Sequence, residues 1–273
     1  MATDGAGEAV LIWRCVATWL SAAMLASAAA ASATAEDRVI FPSAVSPADP
    51  ALAIAGYLST PTGKGPFPAV VLLHSCLGLP SNRKAIGARL AKAGYVALFV
   101  DDFATRGLAQ TCLVDFPQGV ADAYGALAYI AGLPTVDRMR IAAVGYSQGG
   151  DTALRLAVPK LRATFAQTGG PAFKAVAAYY PPCGNLGRTR LDLPALILVG
   201  AEDTVTPAAL CRKLIQGQPN VTLSVYTGAS HVFDDPGFAG GKDLFGMHLQ
   251  YDAAAAAKAD AALAAFLKSA LAP

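Results

Sequence analysis

Apolar side chains along this chain gather in short, nearly unbroken runs separated by stretches of helical periodicity. The runs occupy residues 69–74 (AVVLLH), 95–100 (YVALFV), 140–145 (RIAAVG), 175–180 (AVAAYY), 195–200 (ALILVG) and 221–226 (VTLSVY). The first five show almost no polar alternation, the pattern of strands covered on both faces in a parallel sheet. Between them, Ile86 and Leu90 share a helical face, with Ser81 placed to cap that helix and Gly94 to stop it. Val120, Tyr124 and Leu127 repeat at helical spacing after Asp115 and Pro117, and Gly132 closes the stretch. Residues 204–216 predict a third helix. Residues 248–271 are so rich in alanine that intrinsic propensity favours a fourth. Residues 39–60 add leading strands. Strand–helix alternation of this kind predicts an α/β fold with a mostly parallel, doubly wound sheet in a single domain, without repeats or long linkers.

Composition qualifies this picture at one end. Hydrophobic residues make up 54% of the 273 positions and charged residues only 15%, which excludes disorder for most of the length. A formal net charge of +2, with no basic stripe, gives no reason to expect nucleic acid. The mean hydropathy of +0.43 raises the question of a membrane span. Residues 15–35 carry no charge, follow Arg14 and precede Glu36-Asp37-Arg38. Their second half is alanine and serine, weak material for a spanning helix. Ala33-Thr34-Ala35 instead offers the small-x-small site of a secretory signal, with Ala31-Ser32-Ala33 as an alternate. The expected organisation is a cleaved leader over 1–35 and a mature domain over 36–273, exported to the periplasm or secreted. An uncleaved anchor is the competing reading, because Asp4 and Glu8 offset Arg14. No later segment is suited to span a membrane, so no stable membrane association is expected once the leader is gone.

Of five cysteines, Cys15 falls in the leader. Cys76, Cys112, Cys183 and Cys211 remain, an even number in a chain expected to reach an oxidising compartment. Three pairings are open to them. Their spacing does not suit zinc, so no metal is expected.

The run at 140–145 leads directly into Gly145-Tyr146-Ser147-Gln148-Gly149-Gly150. A nucleophile on a sharp strand-to-helix turn holds a strained backbone, and only small residues two before and two after it avoid a clash. That turn would aim Ser147 at the carboxyl edge of the sheet, with a helix N-terminus pointing at the same place. A serine needs a base. Of His74, His231 and His248, only His231 follows the last strand in a loop at that edge; His74 reads as structural and His248 as a surface or packing residue. The base in turn needs a carboxylate to fix its tautomer. Asp203, in the turn after 195–200, is best placed, with Glu202, Asp234 and Asp235 as competitors. Two N–H donors must face the developing oxyanion: Gln148, the residue after the nucleophile, and Cys76, through its backbone, in the loop after the first buried strand.

With these residues in place, the chain resembles the dienelactone hydrolase family of α/β-hydrolases, in which Ser, Asp and His follow this chain order. The resemblance runs from about Phe41 to Leu267. It rests on GPFPAVVLLHSCLGL, AGYVALFVDDFATRG, VDRMRIAAVGYSQGG, YYPPCG, LILVGAEDTVTPAALC and VYTGASHVFDDPG, and is strongest to an exported bacterial branch with a serine nucleophile. It implies an α/β-hydrolase fold, Ser147, Asp203 and His231 as the triad, and Cys76 and Gln148 as the oxyanion hole. Three departures from dienelactone hydrolase itself stand out. Ser147 replaces a cysteine nucleophile, and Ser75 occupies the place of a glutamate. Of the arginines that would hold a substrate carboxylate, only Arg106 has a counterpart, while Asp234-Asp235 follow the histidine. A carboxylic ester or lactone is therefore the expected small-molecule substrate, without a cofactor.

Cys76 and Cys112 fall in loops at the carboxyl edge after neighbouring strands, and Cys183 and Cys211 after the next pair, so the expected bridges are Cys76–Cys112 and Cys183–Cys211. Residues 161–173 and the glycine-containing loop 236–245 are expected to shape the pocket, with Tyr146, Phe103, Tyr180 and Phe233 as candidate walls. Two other readings compete with an esterase. A prolyl-oligopeptidase-like peptidase shares fold and triad but usually carries a gating domain, for which there is no length here. A non-catalytic binding module would more naturally carry a broken triad. Oligomeric state is not legible.

Overall fold

Six of the eight strands in the central sheet coincide with the six apolar runs. The computed structural model describes residues 36–44, 52–165 and 169–273. The expected leader and its cleavage site lie outside the described residues. The strands are β1 (Glu36–Pro42), β2 (Ala53–Ser59), β3 (Phe67–Leu73), β4 (Val96–Asp101), β5 (Val136–Tyr146), β6 (Phe173–Tyr179), β7 (Ala195–Gly200) and β8 (Val221–Tyr226). They lie in the order β1-β2-β4-β3-β5-β6-β7-β8. β1 and β2 run antiparallel to their neighbours, and all pairs from β4 through β8 are parallel.

Strand periodicity divides the interior into two cores. Val71 and Leu73 of β3 face one side with Leu98 and Ile141, whereas Val70 and Leu72 face the other with Phe99 and Val144. Each face is roofed by helices, as a parallel sheet requires. Helices α2 (Gly119–Ala131), α3 (Gln148–Arg155) and α5 (Ala208–Leu214) cover the first through Leu127, Ile130, Leu154 and Leu214. Helices α1 (Arg83–Lys92) and α6 (Ala253–Ala270) cover the second through Ile86, Leu90, Leu263 and Leu267. A leucine as fully buried as Leu72 contributes about 1.5–3 kcal/mol. The chain moves from β3 outward to β4, then returns to the far side of β3 for β5. The strand order therefore reverses between β3 and β5, and the carboxyl ends of these two strands frame the crevice where open α/β sheets place their ligands.

Local signals were less exact than the strands. Ser81 does not cap α1; the N-cap is Asn82, without a side-chain cap bond, and the Ser81 hydroxyl donates to Asp235 Oδ1 at 2.6 Å. A carboxylate acceptor gives a stronger bond than a backbone cap. The third helix is shorter than 204–216, because the turn through residues 203–206 is committed to the site below. The C-terminal helix begins only at Ala253, capped by Asp252 Oδ1, which accepts from the N–H groups of Ala254 and Ala255 at 2.9 Å. Residues ahead of it form a hairpin of β9 (Lys242–Leu244) and β10 (Met247–Leu249). A further helix, α4 (Pro159–Phe165), covers part of the segment 161–173, of which 166–168 lie outside the described residues. Among the described residues, no helix is long and apolar enough to cross a membrane.

Candidate active site

β5 ends at Tyr146 and α3 begins at Gln148, so the reversal falls on Ser147 alone. Its backbone has φ 52° and ψ −112°, a region that costs a non-glycine residue about 1–3 kcal/mol. The Ser147 N–H donates to the Tyr179 carbonyl at 2.9 Å, and its own carbonyl accepts from the Asp151 N–H at 3.0 Å. The flanking glycines are sterically obligatory: a Cβ on Gly145 would lie 1.9 Å from the Gly149 carbonyl oxygen, and one on Gly149 would lie 2.3 Å from that of Leu73.

The turn after β7 and the loop after β8 bring two more side chains to this point. Ser147 Oγ lies 3.0 Å from His231 Nε2, and His231 Nδ1 lies 2.8 Å from Asp203 Oδ2. All three residues are buried, at 9%, 2% and 4% exposure respectively. A carboxylate can only accept, so Nδ1 carries the imidazole proton and Nε2 is left to accept from the serine hydroxyl. Asp203 Oδ1 accepts from the N–H groups of Val205 and Thr206 at 2.9 and 2.8 Å, and the Thr206 hydroxyl lies 2.8 Å from Oδ2. Burial opposes ionisation of Asp203, yet His231 and these Thr206 contacts outweigh it and hold the carboxyl below its ordinary range. Thr206 carries no signal in the sequence beyond its place in the turn. The competing acids are elsewhere: Glu202 is exposed, Asp234 accepts from the Tyr180 hydroxyl at 2.6 Å, and Asp235 accepts from Ser81.

The loop after β3 is held from several directions. Cys76 is bonded to Cys112 and Cys183 to Cys211, the two bridges expected from the sequence. The Cys76 carbonyl accepts from the Thr111 N–H at 2.9 Å, and the Thr111 hydroxyl donates to Gln148 Oε1 at 2.9 Å. Among the described residues, neither the Cys76 nor the Gln148 backbone N–H has a protein acceptor. His74, at the end of β3, places Nδ1 2.8 Å from the Ser75 carbonyl and Nε2 2.7 Å from Asp102 Oδ1. Burial works against its protonation, but Asp102 and the Ser75 carbonyl prevail and raise it above the ordinary histidine value. His248 is exposed and pairs with Asp243 at 2.8 Å.

Arg106 departs from expectation. Its guanidinium forks onto Asp122 at 2.9 and 3.0 Å and onto the Asp102 carbonyl at 2.7 Å, so it braces α2 rather than facing a substrate. A buried carboxylate such as that of Asp122 needs a charge-assisted partner of this kind. Tyr146, by contrast, lines a cavity of about 230 Å³ beside the serine, together with Ser75, Leu77, Tyr180, Val232 and Asp234. Ser147 and His231 do not line it themselves; their neighbours Tyr146 and Val232 do. Gly237, Phe238 and Lys242 of the loop 236–245 contribute to it. Phe103 and Phe233 are not walls. Phe103 packs on His74 at 4.3 Å between centroids, and Phe233 on Tyr226 at 5.3 Å. Among the described residues, no group of three or more His, Cys, Asp or Glu side chains is placed to hold a metal ion.

Known proteins resemble this chain in sequence and in fold. A model of the dienelactone hydrolase family matches residues 54–271. A protein of Synechocystis sp. named "Putative carboxymethylenebutenolidase" is 28% identical over 206 residues, spanning 67% of this chain and 82% of its own. A Bradyrhizobium sp. protein named "Probable 2-oxo-3-(5-oxofuran-2-ylidene)propanoate lactonase" is 26% identical over 194 residues, spanning 66% of this chain and 78% of its own. Among solved structures, a dienelactone hydrolase-like promiscuous phosphotriesterase from metagenomic libraries superimposes with a TM-score of 0.65 at 23% identity, covering 86% of this chain and 99% of its own.

Proposed function

The chain belongs to the dienelactone hydrolase family, and from that premise we propose that it hydrolyses a carboxylic ester or lactone, with Ser147 as nucleophile, His231 as base and Asp203 as the acid that orients the base. The observation that carries this reading is the continuous buried contact from Ser147 Oγ to His231 Nε2 at 3.0 Å and from His231 Nδ1 to Asp203 Oδ2 at 2.8 Å. The relatives' names, a carboxymethylenebutenolidase and a lactonase, support the same substrate class.

Ser147 Oγ attacks the substrate carbonyl carbon as His231 Nε2 takes its proton. The imidazolium that forms is stabilised by the ionised Asp203. The carbonyl oxygen becomes an oxyanion and receives hydrogen bonds from the N–H groups of Gln148 and Cys76, at the N-terminus of α3 where the helix dipole also favours negative charge. Collapse of this intermediate expels the alkoxide, which takes the proton from Nε2, and leaves an acyl group on Ser147. Water then attacks the acyl-enzyme with His231 again as base, releasing the carboxylic acid and the free serine.

Hydrolysis of p-nitrophenyl acetate and butyrate by wild type and Ser147→Ala tests this reading. Loss of at least about 1000-fold in kcat is expected for the variant, and equal rates for both proteins would overturn it. Export is proposed on separate grounds: the uncharged segment before Glu36 and the two disulfides, which persist in oxidising compartments. N-terminal sequencing of the protein recovered from its native host should begin at Glu36, or at Thr34 if the alternate site is used; recovery with the leader intact would overturn cleavage.

A further inference from the structure

The cavity beside Ser147 has a negatively ionisable wall without a cationic partner. Asp234 lines it, and its carboxyl accepts from the Tyr180 hydroxyl at 2.6 Å. The Tyr180 ring in turn packs on His231, with 4.6 Å between centroids, so this carboxyl is one residue removed from the base. No cationic side chain pairs with Asp234 among the described residues. Lys242, on the same cavity, places its ammonium over the Phe238 ring at 5.3 Å. Asp235 is engaged differently, with Oδ1 accepting from the Ser81 hydroxyl at 2.6 Å and the Gly237 N–H at 2.9 Å. Arg106, which could have answered a substrate carboxylate, is spent on Asp122. The remaining walls used here, Leu77, Tyr146 and Val232, are largely apolar.

We propose that this cavity selects uncharged ester or lactone groups and rejects those bearing a carboxylate close to the reacting carbonyl, with Asp234 as the residue that sets the discrimination. The inference rests on the hydrolase reading above and adds the substrate's charge to it. Burial pushes the Asp234 carboxyl up to about 7; the Tyr180 hydroxyl bond opposes the shift, and the charges of Asp235 and Asp260 add to it. Asp260 is itself paired with Arg89. Below about 7, Asp234 is neutral and tolerates an anion. Above it, two like charges would share one small cavity, where repulsion within a few ångströms amounts to about tenfold or more in kcat/KM.

Two matched pairs test this: p-nitrophenyl valerate against mono-p-nitrophenyl glutarate, and phenyl acetate against 4-acetoxybenzoate, each corrected for spontaneous hydrolysis. The substrate carboxylates stay ionised from pH 6 to 8.5, and any pH dependence of the shared catalytic step affects both members of a pair alike, so it cancels from their ratio. The neutral-to-anionic ratio in at least one pair should rise about tenfold as pH passes 7, and Asp234→Asn, which keeps the acceptor for Tyr180, should flatten it. Lys242→Ala should offset the ratio without removing its pH dependence. The wild-type ratios test the proposal even if Asp234→Asn fails to fold. Ratios that stay flat across pH in both pairs would overturn it while leaving the hydrolase reading intact; absence of turnover with every ester would overturn that reading instead.

Discussion

The hydroxyl of Thr111 donates to Oε1 of Gln148 across 2.9 Å, while the Thr111 N–H donates to the carbonyl of Cys76 across the same distance. One buried residue, 2% exposed, thus ties together the two segments whose N–H groups are assigned to the oxyanion. Thr111→Val should leave KM near the wild-type value and lower kcat by about 5- to 50-fold, because the donors lose their alignment to the transition state rather than to the ground state. Thr111→Ser should retain activity. Steady-state kinetics on p-nitrophenyl butyrate separates the two variants.

The two disulfides are expected to act differently. Their sequence separations of 36 and 28 residues imply similar stabilisation through the unfolded chain, about 3–4 kcal/mol each. Only Cys76–Cys112 reaches the oxyanion segment. Replacing Cys183 and Cys211 with serine should lower thermal stability with kcat little changed at low temperature. Replacing Cys76 and Cys112 should lower both, as measured by melting curves and initial rates at a temperature where each variant is folded.

The six long parallel strands were legible because burial on both faces leaves no room for polar alternation, and the residues of the proposed triad were legible because each follows a strand at the same edge. What escaped the sequence depends on partners distant along the chain. Ser81 had the right neighbours for a cap but found Asp235, 154 residues away. Arg106 had the composition of a carboxylate receptor but was already matched by Asp122, on a helix whose inward face shows only when packed. Thr206 and Thr111 are ordinary turn and loop residues until the fold sets them against Asp203 and Gln148. The hairpin at residues 242–249 consists of three-residue strands, too short to display a period.

Asp203→Asn should keep the hydrogen-bonded frame of the turn while supporting the wrong imidazole tautomer. The expected loss is about 10³- to 10⁴-fold in kcat, with melting temperature changed by far less than a cavity-forming substitution would change it. Because the folded-state carboxyl lies below its ordinary range, its contribution to stability is present above the unfolded value and is lost as pH falls through the folded one. Wild type should therefore lose more stability than Asp203→Asn on acidification below about pH 4.

His74 gives the opposite slope. Its protonation is raised above the ordinary value, so the stability it contributes is complete below about pH 6.5 and is lost as pH rises through the folded value. Melting temperatures of the wild type should fall on going from pH 6.5 to 9 more steeply than those of His74→Gln. Equal slopes would mean that the contact with Asp102 does not carry a proton.

Gly145→Ala would force a Cβ to within 1.9 Å of the Gly149 carbonyl oxygen, and is expected to destabilise by about 4 kcal/mol or more. Gly150→Ala meets its nearest neighbours only at 3.1 Å and should fold with a much smaller loss. Chemical denaturation of the two variants side by side reads the difference.

The central claim is that Ser147 becomes covalently acylated, and the most direct measurement is labelling with a p-nitrophenyl phosphonate ester followed by intact-mass and peptide mass spectrometry. The expected result is one phosphonyl group per chain, on the peptide containing Ser147, with inactivation in proportion to labelling and no adduct in Ser147→Ala. A catalytically active protein that resists labelling, or one whose adduct lies on another residue and persists in Ser147→Ala, would contradict it.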